Sequence, residues 1–241
     1  RWWGLAEKNG SVRAKMMLGL FHNLGRGVGR SEKEAEHWYL KAAELGDKDA
    51  IYNLALLYLH GKGIDRNYDK AAKYFSILAE QGDADAQNSY ASLFLEGQGV
   101  PYSPEKAASW FKRAASSNAQ GMFNLATMYR TGTGLDQNDK KALFWYKKAA
   151  DLNFAAAQNA VGYMYAEGRG TKVDKEIAET WFQKAVDNGL RMALQNSNSL
   201  EQKGAFSLIR IQTNKDIRSA VLTDKKVNLA DWLETHQQPI L

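Results

Sequence analysis

Cysteine is absent from the 241 residues, so the chain has no disulfide framework, no thiolate nucleophile and no sulfur-ligated metal. That composition fits cytosol or periplasm. Also missing is any apolar run near the roughly twenty residues that span a bilayer, and no transmembrane segment is expected. The net charge is +5 and the pI about 9.2, which permits an acidic partner, yet Lys and Arg are interspersed with Asp and Glu throughout. No basic stripe for nucleic acid results. There is no Gly-x-Ser-x-Gly elbow, and His22, His37, His60 and His236 show no metal-ligand spacing. No catalytic residue, metal or cofactor is therefore assigned. The chain opens Arg1-Trp2-Trp3 with neither an initiator Met nor an apolar leader, and reads as a fragment or processed form.

What is present is a period. Hydrophobic residues make up 44% and charged residues 24%, enough for a soluble protein with a core. Gly-x-Gly recurs at Gly25, Gly61, Gly97, Gly132 and Gly168, at spacings of 36, 36, 35 and 36. Thirteen residues after each first glycine stands Trp38, Tyr74, Trp110, Trp145 or Trp181, followed by Tyr39, Phe75, Phe111, Tyr146 or Phe182. With Ala35, Ala71, Ala107, Ala142 and Ala178 at offset ten, these columns make one helical face. Six residues after the glycine comes Ser31, Asn67, Ser103, Asn138 or Asp174, each a helix N-cap type. A buried tryptophan, removing ~200 Å² from water, is worth up to about 5 kcal/mol before entropy. The expectation is that Trp110 and Trp145 cement stacked units.

A second stripe precedes each glycine pair: Ala14, Ala50, Ala86, Gly121 and Ala157, then Leu18, Leu54, Tyr90, Leu125 and Val161. Gly19, Ala55, Ala91, Ala126 and Gly162 beside it permit close helix approach. The first helix ends at the glycine, which takes up the left-handed conformation of a C-terminal cap. Gly25-Arg26-Gly27-Val28-Gly29 is not a phosphate loop, since its glycines end a helix and repeat five times. His22 shares a column with Tyr58, Phe94, Tyr129 and Tyr165, which points to a packed position.

These residues resemble the Sel-1-like repeat family, a tetratricopeptide-related group whose units carry an Ala, a Leu-Gly pair, a Tyr, Gly-x-Gly and a Trp-Tyr-x-x-Ala-Ala helix. The resemblance implies an all-α fold, a right-handed superhelical solenoid of stacked antiparallel helix pairs. It divides the chain into a repeat remnant at 1–10, five repeats at 11–189, the first helix of a partial sixth at 190–204 and a divergent capping segment at 205–241. It also implies a bacterial adaptor or scaffold in signalling, secretion, envelope assembly or protein quality control. An immunity protein that blocks a secreted toxin enzyme is an alternative, and a cell-wall or β-lactam hydrolase another. The hydrolase resemblance comes with disulfide-paired cysteines, absent here.

Subtracting the core columns leaves positions 12, 9, 5 and 2 before each glycine as a second face, which in tetratricopeptide-like superhelices lines the concave groove. Met16, Leu20, Tyr52, Leu56, Asn88, Phe123, Arg130, Asn159 and Tyr163 are its candidate partner-binding residues. Tyr52, Phe123 and Tyr163 offer rigid aromatic area, and Asn88 and Asn159 offer hydrogen bonds to a peptide backbone. Met16, Leu20 and Leu56 suit an apolar helix or strand, with contact between adjacent repeats as the competing role for the leucines. The partner is another protein or peptide, and a monomer is expected.

Overall fold

In the computed structural model, residues 11–61, 63–190, 193 and 196 are described, and all of them belong to one compact unit. Among them are ten helices and no strand: α1 (Val12–Leu24), α2 (Glu32–Ala43), α3 (Lys48–His60), α4 (Tyr68–Glu80), α5 (Ala84–Glu96), α6 (Pro104–Ala114), α7 (Ala119–Thr131), α8 (Asp139–Asp151), α9 (Ala155–Ala166) and α10 (Lys175–Asp187). Each odd-numbered helix packs on the next, and each pair packs on the pair that follows. The result is an α-solenoid of stacked helix pairs. The proposed remnant at 1–10 and capping segment at 205–241 lie outside the described residues.

Local chemistry fixes where each helix begins and ends. Ser31, Asn67, Ser103, Asn138 and Asp174 each accept a bond from the backbone N–H three residues on, as their N-cap chemistry predicts. Ser11, Asp47, Asp83 and Asn118 cap the first helices in the same way, a signal the sequence carried and the reading above did not use. Phe154 begins α9 without a side-chain cap. At the other end, Gly97 adopts φ 63° and its N–H bonds to the Leu93 carbonyl, closing α5.

The second glycine of each loop serves a different purpose. At Gly99 φ is +66°, and an added Cβ would run into the backbone carbonyl of Tyr68, where the second helix of the preceding unit starts. Gly134 meets Pro104 and Gly170 meets Asp139 in the same relation. A side chain at these sites would separate neighbouring units, so the glycine is a spacing requirement as well as a turn.

Burial corrects one expectation. Within each aromatic pair it is the second member, Tyr39, Phe75, Phe111, Tyr146 or Phe182, that has no exposed surface. Trp110 and Trp145 are only partly buried and pack against the margin of the core. Offsets 10, 14 and 17 point straight into the stack, whereas offset 13 lies a helical step to one side. There Trp110 keeps one face for the Arg113 guanidinium, 4.2 Å from the ring centroid, and an edge for Tyr90. His22, expected to be packed, is half-buried.

Candidate functional site

The first helices α1, α3, α5, α7 and α9 carry the nine residues expected to line a groove. Their contacts follow one rule of register. The column nine residues before the glycine in one unit meets the column eight before it in the next, because successive first helices lie side by side and slightly offset. Tyr52 thus places its hydroxyl 3.4 Å from Ser89 Oγ. Asn124 Nδ2 donates to Asn88 Oδ1 at 2.8 Å, and Asn196 Nδ2 to Asn159 Oδ1 at 2.7 Å.

This register sorts the candidates. Met16, Leu20, Asn88, Phe123 and Asn159 are buried, while Tyr52, Leu56, Arg130 and Tyr163 are half-buried. Phe123, read from sequence as accessible aromatic area, is 4% exposed, with its ring against Tyr146 and Phe154. It is core. Tyr52 also gives one edge of its ring to Phe75. The seam between units has drawn half of the face into itself, since a helix flanked by two like helices has little free surface left.

The asparagines are not exhausted by the seam. Gln120 donates to Asn124 Oδ1 and Asn124 in turn to Asn88, so the amide relay runs in one direction and ends on the Asn88 NH2 group. Neither Asn88 nor Asn159 has a side-chain acceptor or backbone carbonyl for its Nδ2 among the described residues, and neither nitrogen is sealed from solvent. Fixed by its neighbour through Oδ1, each presents a donor whose orientation is already set.

A second polar cluster lies at the end of α7. Thr127 Oγ1 donates to the Phe123 carbonyl at 3.0 Å and sits 2.9 Å from the Tyr146 hydroxyl. Arg130 Nε donates to the same hydroxyl at 3.4 Å. Burial raises the Tyr146 pKa, partly countered by Arg130, Thr127 and Arg169. Arg169 is paired through Nε with Asp139 Oδ2 at 3.1 Å. Burial alone would depress its guanidinium pKa, but Tyr163 and Asp139 raise it overall.

A hollow lined by Lys33, Glu36, Tyr58, Ile64 and Lys70, among others, contains none of the nine candidates. Among the described residues, no three His, Asp or Glu side chains gather into a metal-sized cluster, and no helix is long and apolar enough to cross a membrane.

A face of repeated first helices and an inter-unit amide ladder define a repeat scaffold. The Sel1 repeat profile matches residues 12–47, 48–83, 84–118, 119–154 and 155–190, and the chain belongs to the Sel1 repeat family. Repeats of this family generally mediate protein–protein interaction. Among solved structures, the chain is similar to c5321, a protective antigen present in uropathogenic Escherichia coli strains that displays this repeat fold. The two are 28% identical with a TM-score of 0.78, over 91% of this chain and 47% of that one. A Sel1 repeat protein from Oxalobacter formigenes is 27% identical with a TM-score of 0.73, over 89% of this chain and 86% of that one. This chain spans about half the length of the E. coli protein. No curated protein matches it in sequence.

Proposed function

We propose that the chain is a non-catalytic adaptor that binds a segment of another protein along its first-helix face. One observation carries the reading: Asn88 and Asn159, in the same column two units apart, each hold an amide N–H2 oriented by a neighbouring asparagine and with no acceptor among the described residues. Backbone carbonyls of an extended segment are the acceptors such donors suit. Leu56 and Tyr163, half-buried on the same face, supply apolar area beside them.

The test is selection of binding segments from a displayed random peptide library on the immobilised chain, followed by affinities for variants. Tyr163→Ala and Leu56→Ala should weaken the selected peptides, by about thirtyfold for an aromatic anchor. Lys148→Ala, an exposed change on a second helix, should not. Equal affinities across all four proteins would sink the groove reading, as would a library that yields no binder. Exclusive, stoichiometric binding of one folded toxin enzyme would support the immunity alternative instead.

A further inference from the structure

We propose that Arg130 anchors a carboxylate of the bound protein segment, either an Asp or Glu side chain or the segment's own C-terminus. This deepens the groove reading above and rests on it.

The argument starts from what the arginine is not needed for. Arg130 is two residues before the loop glycine, where the other units have Asn23, Leu59, Leu95 and Ala166. This column lies over the fully buried aromatic fourteen residues after the glycine. Where that aromatic is Phe75, Phe111 or Phe182, the residue above it is Leu or Ala. Where it is a tyrosine, the residue above is polar: Asn23 for Tyr39, Arg130 for Tyr146. In the first unit the neutral Asn23 stands in this column and the Tyr39 hydroxyl has no hydrogen-bond partner, so the column itself does not call for a cation. In the fourth unit Thr127 already lies 2.9 Å from the Tyr146 hydroxyl. The positive charge of Arg130 is surplus to that role.

It is also uncompensated. Among the described residues no carboxylate lies within ion-pair distance of Arg130, whereas Arg169 is paired with Asp139. Its Nη2 is buried with no hydrogen-bond partner. Arg169 adds a second positive charge near the Tyr146 hydroxyl and is itself paired with Asp139. A half-buried guanidinium with no carboxylate beside it is disfavoured in the unbound protein, and a carboxylate reaching the part of the group that is not sealed would supply the missing countercharge. Thr127 and Tyr146 act as positioning residues. With Thr127 donating to the Phe123 carbonyl, Tyr146 donates to Thr127 and accepts from Arg130, so the relay holds Nε and fixes the plane of the fork.

The experiment uses the full chain and two displayed libraries of random peptides, one with free C-termini and one with the segment internal. Selected peptides are resynthesised as acids, as C-terminal amides and with Glu→Gln or Asp→Asn at each acidic position, and their affinities are measured with wild type, Arg130→Gln and Arg130→Lys. Wild type should require one carboxylate at a fixed position, and its neutralisation should cost about thirtyfold or more. Loss on C-terminal amidation identifies the terminus as the source, and loss on Glu→Gln or Asp→Asn a side chain. Arg130→Gln should weaken the acidic peptide by a similar factor and leave its neutral counterpart unchanged, while Arg130→Lys, which keeps the charge without the fork, should fall between. Melting temperatures of both variants should stay at or above wild type, since an uncompensated charge has been removed or made more pliant. If the selected peptides bind without any required carboxylate, or Arg130→Gln leaves the acid-to-amide ratio unchanged, the anchor is overturned while the groove reading stands. If no peptide is selected at all, the groove reading falls and takes the anchor with it.

Discussion

Arg130 and Tyr146 form a pair in which a first helix reaches over its own second helix: Nε donates to a phenol oxygen that belongs to the fully buried core. The same two columns hold Leu59 with Phe75 and Leu95 with Phe111 in the units before. Replacing both members, Arg130→Leu with Tyr146→Phe, should thus reproduce a combination the fold already contains twice. Tyr146→Phe alone should destabilise, because it removes the acceptor of a charged donor. A double-mutant cycle on urea midpoints should give a coupling of about 1 kcal/mol or more. Additive single effects would show that the two side chains merely lie near each other.

Within each aromatic pair the second residue should dominate stability. Phe111→Ala removes a fully buried ring and should cost about 3–5 kcal/mol, whereas Trp110→Ala, at a half-exposed position, should cost about 1–2 kcal/mol. Thermal and urea unfolding of the two variants side by side measures the difference. A larger loss for Trp110→Ala would reverse the assignment of core and margin.

Alkaline pH should weaken the fold through its buried phenols. Burial raises the pKa of Tyr39 and Tyr146 in the folded chain, whereas unfolded tyrosine titrates near pH 10. The folded state then holds its protons more tightly than the unfolded one, so this contribution is complete below about pH 10 and is lost as pH rises towards the folded values. Melting temperature should fall from about pH 10 upward, and Tyr39→Phe and Tyr146→Phe should each flatten that fall. Identical pH profiles for wild type and both variants would mean that the hydroxyls ionise in place without penalty.

The fold was legible because its signals are local and repeated: a loop glycine, a cap six residues on and an alanine ten residues on recur five times. The exposed part of the first-helix face was legible only in outline. Periodicity assigns residues to a helix face, but it does not say how much of that face the next helix will cover. Phe123 and Tyr163 occupy the same face of neighbouring first helices, yet one is core and the other half-exposed. Phe123, nine residues before its glycine, is covered by Tyr146 of its own second helix and by Phe154 of the following turn, whereas Tyr163 stands five before its own glycine. The pairing of Asn88 with Asn124 needed a comparison of adjacent columns across units, a shift of one register position that a column-by-column reading passes over. The tryptophans misled for a related reason, since size suggested burial while offset decided it.

The contact between each second loop glycine and the unit before it has a direction. Gly99, Gly134 and Gly170 seat on Tyr68, Pro104 and Asp139, always the later residue against a helix start already laid down earlier in the chain. A ribosome delivers the earlier surface first, so each unit emerges to find its docking platform waiting. Every such closure spans only about thirty residues, which keeps the entropic cost of each step low and lets order spread from neighbour to neighbour in the sequence of synthesis.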